Sequence, residues 1–440
     1  MKYFLFLLFT IPFLYQCKSS GDQKNDSGNG IDSSGIKTIL SIKDINQWRG
    51  NNRDGKYDES NLLKAWPEEG PELIWSIDSL SMGNSSMSFA YNTIFLTGTR
   101  NRMDEVIAID LQGNIKWRTP YGRAWNEAYP EARCTPTIDN KRLYVTSGIG
   151  DVACLDAISG EIIWEVNAND KYEGNLNLWG IAESPLIIDD KVIFTPVGEK
   201  STMVAFDKFT GEEKWVCESI HDSTAYVSPI HFQYANKDII VNITSCHLIG
   251  VNALNGELLW KYRYYDLNPL LWHMHGPIIN CVTPLYSNGK IYITSGYNHI
   301  GAMFKILPDA SDIELMWTDT ILDNHHGGVV HVDGYIYGSN WINNGQGNWC
   351  CIDWTTGKKQ YETEWKTKGQ IIYSDSMLYC YDERTGYIAL VEATPEEFKI
   401  VSSFKIPLGT GPHWSHPVIN KGILYIRHGK SLMAYSIAVN

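Results

Sequence analysis

The sequence predicts an all-β protein, an eight-bladed β-propeller closed by its own N-terminal strand, with seven blades as the runner-up. Three observations predict it. A strand–turn–strand pattern recurs along the chain, an aromatic residue follows each copy at intervals of 42 to 57 residues, and the last copy lacks a strand that the first segment can supply. The 440 residues are 43% hydrophobic and 20% charged, enough apolar material for a large core, which excludes wholesale disorder and collagen-like repetition. Fifty acidic against 37 basic residues give a net charge of −13, a poor footprint for binding nucleic acid or anionic lipid through charge.

The first element is an address. Met1-Lys2-Tyr3 makes a short cationic start, and Phe4 to Phe13 is an almost unbroken apolar run too short for a permanent membrane helix. Residues 1–16 are therefore expected to be a signal peptide. Leu14-Tyr15-Gln16-Cys17 resembles a bacterial lipobox, which implies lipidation at Cys17; an ordinary secretory signal with an incidental cysteine is the alternative. Residues 17–43 are expected to be a tether, because Lys18 to Gly35 is rich in Ser, Gly, Asp and Asn, with Ile31 its single large apolar residue. By resemblance to lipoprotein sorting rules, Lys18 after the cysteine points to the outer membrane of a Gram-negative-type cell. Residues 44–440 are expected to form one propeller.

Hairpin chemistry marks each repeat. Thr135 to Val145, Ser184 to Phe194, Thr283 to Ile293 and His416 to Ile426 each pair short β-rich runs around a turn of Asn, Asp, Gly or Lys. A third strand, a turn and a tryptophan follow, most clearly in Ala205-Phe206-Asp207-Lys208-Phe209-Thr210-Gly211-Glu212-Glu213-Lys214-Trp215. Cys154 to Trp164 and Gly250 to Trp260 match it, Ala108 to Trp117 is one residue short, and Cys351 to Tyr361 replaces the tryptophan with tyrosine. Asp or Asn with Thr caps a tight turn, Gly supplies positive φ, and the indole lies flat as a spacer between sheets. The anchors are Trp75, Trp117, Trp164, Trp215, Trp260, Trp317, Tyr361 and Phe404. After Phe404 only three strands remain. Pro71 to Trp75 supplies the fourth and removes the unpaired edge.

These copies resemble the pyrroloquinoline-quinone-like propeller repeat family. Gln47-Trp48-Arg49-Gly50-Asn51-Asn52-Arg53-Asp54-Gly55 with Leu62-Leu63-Lys64-Ala65-Trp66-Pro67 looks like the entry segment of its bacterial members. Asn324-His325-His326-Gly327-Gly328-Val329-Val330 is similar to another segment recurrent there. The resemblance runs from Gln47 to the C-terminus and implies the fold. It leaves the function open, since the family includes quinoprotein dehydrogenases and the lipoprotein propeller of the outer-membrane barrel-assembly machinery.

In a propeller the segment leading into each innermost strand lies at the channel mouth. Those segments carry Trp125 and Arg133, then Trp179 and Glu183, Tyr226, then Trp272, His273 and His275, then His325 and His326, Lys368, and finally His413, Trp414 and His416. Repeat symmetry should gather them around one axis, where imidazoles, indoles and a few charges suit metal ligation, stacking or acid–base work. Taken singly, such histidines also serve simply to bond a neighbouring blade. His273-x-His275, His325-His326 and His413-x-x-His416 offer ligands for zinc or copper, but none forms an established signature, and no metal is expected.

Eight cysteines besides Cys17 are not spaced as a disulfide framework, and buried free thiols are expected. Quinoprotein alcohol dehydrogenases carry an adjacent-cysteine disulfide, which the resemblance would put at Cys350-Cys351. Strand alternation instead sends those two thiols to opposite faces. Two functional readings follow. The favoured one is a lipid-anchored, monomeric exported propeller that binds an envelope protein, glycan or small molecule at its mouth, without catalysis and without a cofactor. The alternative is an oxidoreductase acting on alcohols or sugars with pyrroloquinoline quinone and calcium, in which Glu183 is the base.

Overall fold

A computed structural model describes residues 30–31, 37–39, 41–267 and 279–439. The signal, Cys17 and the segment bearing Trp272, His273 and His275 lie outside the described residues. Within them the chain forms eight sheets arranged as propeller blades, each built on four antiparallel strands. Blades one to seven span 88–123, 137–167, 186–216, 230–262, 285–319, 329–363 and 369–405, and blade eight joins 418–436 to 72–77. The closure is the one the sequence predicts: Glu72–Ile77 pairs antiparallel with Ser431–Ser436, and Ala434 faces Trp75.

Burial explains why the strands read as they do. The second and third strands of each blade are covered by both neighbours and are almost wholly buried, as in Arg142–Thr146 and Asp151–Asp156. Fourth strands face solvent on one side, so Ile313–Asp319 alternates buried and exposed. Cores therefore sit between blades. Cys350 packs with Leu285, Tyr292 and Ile336 on one side of its strand, whereas Cys351 packs with Tyr361, Leu378 and Cys380 on the other. The two thiols do point apart, and all eight described cysteines are unpaired.

The tryptophan spacers dock onto the next blade's turn. Trp164 donates its indole N–H to the Lys208 carbonyl at 3.1 Å, and Trp215 to that of Ala253 at 3.2 Å. Gly211 and Gly256 have φ of +75° and +77°, and a Cβ there would lie 2.8 Å from Trp164 and 2.5 Å from Trp215. Glycine is thus required twice over, by the turn and by the indole lying on it.

The entry segment does more than begin the chain. Lys56–Tyr57 adds a short parallel strand inside blade seven, on the inner strand Gly369–Ser374, so that sheet has five strands. Ahead of it Arg49 and Arg53 are buried in the channel. Arg53 donates to the carbonyls of Ser184 at 3.1 Å and Pro229 at 2.9 Å, and also to Pro185, while Arg49 donates to Val329 at 2.7 Å. Inner strands present carbonyls that no further strand covers, and two guanidiniums satisfy those of several blades at once. Ile39, within the segment read as tether, is already buried in the core.

Candidate functional site

The entry segment divides the channel. On one side Asn51, Asn52 and Arg53 face the inner strands of blades three to five. On the other, Trp48 floors a cavity of about 290 Å³ at the mouth. Two kinds of connection build its wall: the segments entering the inner strands, and the loops between second and third strands.

Of the residues singled out in the sequence, Arg133, Trp179, His325, His326, Trp414 and His416 line this cavity, as does Tyr226. Four others lie off it. Trp125 covers Gly148 and Gly180 and donates to the Ala128 carbonyl at 3.1 Å, so it packs loops together. His413 stacks on His428 at 3.7 Å, and its Nδ1 meets the Tyr381 hydroxyl at 2.6 Å, inside the seam of blades seven and eight. Glu183 is buried away from the lining, and burial pushes it up to about 8, opposed by hydrogen bonds from Thr195 and by the Arg53 charge. Lys368 stands behind the wall, 2.7 Å from Glu383.

The wall also contains residues outside that set: Trp48, Asn84, Tyr129, Cys281, Tyr297, Asn344 and Glu383. Tyr297, Asn344 and Glu383 come from the second-to-third-strand loops of blades five, six and seven. The signal for Glu383 was present, because Asp382-Glu383-Arg384-Thr385-Gly386 repeats the turn motif. In blade seven that motif sits between second and third strands, at the mouth, whereas in blade three it sits between third and fourth, at the opposite end. Asp382 accepts from the Thr385 backbone N–H at 2.7 Å there.

The rings touch in sequence around the mouth. Tyr226 meets Trp179 at 5.5 Å, Trp179 meets Tyr129 at 5.8 Å, and Tyr129 meets Trp414 at 5.5 Å. Trp414 meets His326 at 5.1 Å, His326 meets His325 at 4.3 Å, and His325 meets Tyr297 at 4.8 Å. Tyr129 is half exposed, and it and Tyr297 both hold positive φ, at 58° and 68°, backbone that a packed tyrosine adopts only under constraint.

The histidines are neutral. Burial, reinforced for His326 by the Lys368 charge, pulls that imidazole down to about 3, and burial holds His325 and His416 well below the usual range. Arg49 donates to His416 Nδ1 at 3.0 Å, so the proton sits on Nε2, which donates to the His326 carbonyl at 3.2 Å. Burial also raises Glu383, against the charge and hydrogen bond of Lys368. Glu383 is the one carboxylate among the described lining residues, and Lys368 already holds it. A calcium–quinone pair needs several oxygen ligands, so this donor set does not fit it.

A family model described as outer membrane protein assembly factor BamB matches residues 102–360. An uncharacterized protein of Rickettsia conorii is 27% identical over 240 residues, 48% of this chain and 54% of its own. The outer membrane protein assembly factor BamB of Kangiella koreensis is 21% identical over 243 residues, 54% of each. The chain spans about half the length of the curated relatives it matches. Among solved structures, a europium-containing methanol dehydrogenase superposes with a TM-score of 0.67 at 13% identity, over 88% of this chain and 91% of that one. At that identity the likeness concerns the fold alone.

Proposed function

The chain belongs to the family described as outer membrane protein assembly factor BamB, and from that premise we propose that it is an outer-membrane lipoprotein, anchored through Cys17, whose propeller captures an envelope protein at the channel mouth and performs no chemistry there. The observation that carries this reading is the chain of touching rings from Tyr226 to Tyr297 around a cavity of about 290 Å³. That volume is at the lower end for ligand sites and suits one or two side chains of a docked loop. Aromatic walls give contact area at small entropic cost, and the half-exposed Tyr129 and the partly buried Trp179 stand where an incoming group would stack. The family's assembly-factor description supports a protein occupant over a glycan or small molecule.

The test is affinity capture from outer membranes with the full-length protein and with a Trp179→Ala/Trp414→Ala double variant. Wild type should retain a defined envelope protein that the variant loses by tenfold or more. Retention unchanged by the variant, or no partner together with binding on a glycan array, would overturn the protein-capture reading. Cys17→Ser should move the protein from the membrane to the soluble fraction, and membrane retention without acylation would remove the anchor.

A further inference from the structure

In the wall of the mouth, His325, His326 and Glu383 each offer a ligand atom, and these atoms lie within 4.8 Å of one another. Each residue also has one buried polar atom without a well-aligned hydrogen bond: His325 Nδ1, and His326 Nε2 and Glu383 Oε2, which face each other at 3.2 Å. Buried polar atoms are satisfied as a rule, and one orphan beside a pair that meets without good alignment, on three neighbouring side chains, calls for an explanation. The other polar atom of each side chain is engaged. His325 Nε2 meets the Tyr297 hydroxyl at 3.0 Å, His326 Nδ1 meets the Gln370 amide at 3.4 Å, and Glu383 Oε1 accepts from Lys368 Nζ at 2.7 Å. Outer partners that fix ring orientation while leaving the inner atom bare are the mark of a metal site.

We propose that His325, His326 and Glu383 form a binding site for a divalent first-row transition ion such as zinc, with an open coordination position toward the mouth cavity. Two imidazoles and one carboxylate are a recurrent donor set for such ions. The geometry is close to what it requires. Zinc bonds of 2.0–2.1 Å put tetrahedral ligand atoms roughly 3.3 Å apart, and His326 Nε2 already lies 3.2 Å from Glu383 Oε2. Closure then falls to the His325 side chain, whose ligand atom lies within 4.8 Å of the other two. Gln370 is prepared for the ligated state as well. Its Oε1 is buried without a partner, and turning the amide lets it accept from His326 Nδ1–H, which frees Nε2 for the ion. A bound ion would give the cavity a Lewis-acidic anchor for an oxygen donor of whatever docks there.

The full-length protein, stripped with chelator, would be titrated with Co²⁺ and read by its visible absorption, then back-titrated with Zn²⁺. One Co²⁺ per chain with four-coordinate bands, displaced by Zn²⁺, is expected. His325→Gln and His326→Gln should abolish the bands, and Tyr297→Phe, which leaves every ligand in place, should weaken affinity about tenfold. His247→Ala, in the side-chain pair with Asp222 at 2.8 Å, should change nothing. No bands at millimolar Co²⁺, or bands that persist in both glutamine variants with native circular dichroism, would overturn the site.

Discussion

On the turn face, Gly211 lies flat against Trp164 and Gly256 against Trp215, so the same contact serves blade after blade. On the mouth face each described blade contributes something different: Arg133 from the second, Tyr297 from the fifth, Glu383 from the seventh. One end is a repeated joint whose purpose is closure of the ring. The other is a set of single residues that share only a location. With the mouth as the proposed capture site, stability and recognition fall at opposite ends of one architecture, which lets the mouth vary without loosening the blades.

That division makes unequal demands under mutation. The largest effect should come from Trp215→Ala, which deletes a buried spacer together with its bond to Ala253. Denaturant unfolding should show a loss of about 3–5 kcal/mol, and a loss under about 1 kcal/mol would show that the blades do not depend on their spacers. Glu183→Gln tests the channel between the two ends. Burial raises Glu183 from 4.5 to about 8, so between those values the native state keeps a proton that the unfolded chain has released. Its contribution therefore falls as pH rises through that window. The variant should melt with wild type near pH 4.5 and several degrees above it at pH 8.5, and a constant difference would contradict the shift. The smallest effect on stability should come from Trp179→Ala at the mouth, under about 1 kcal/mol in the same unfolding measurement, although capture of the partner is lost.

The two ends also differed in how far the sequence revealed them. Trp164, Trp215 and Gly256 were legible because the physics of one joint imposes the same residues at a fixed offset, and repetition exposes the rule. Arg133, Trp179, His325, His326, Trp414 and His416 could be found because entry segments have a definable place in each repeat. Tyr297, Asn344 and Glu383 escaped because the second-to-third-strand loops vary in length and sequence, and their convergence arises only when the ring closes. His325-His326 looked like an incomplete ligand pair for that reason. Its third member is supplied by the next blade, through a turn motif displaced to the other end of its sheet. Trp48 escaped for a related reason, since nothing in Gln47 to Gly55 says that the segment re-enters the channel on Arg49 and Arg53.

The central claim, that the mouth and not the turn face engages the envelope, is tested most directly by photo-cross-linking in living cells. A photoreactive residue would replace either Asn344 at the mouth or Leu254, which is 74% exposed on a turn. A discrete cross-linked envelope protein is expected from position 344 and none from position 254. The same product from both positions, or a product from 254 alone, would contradict it.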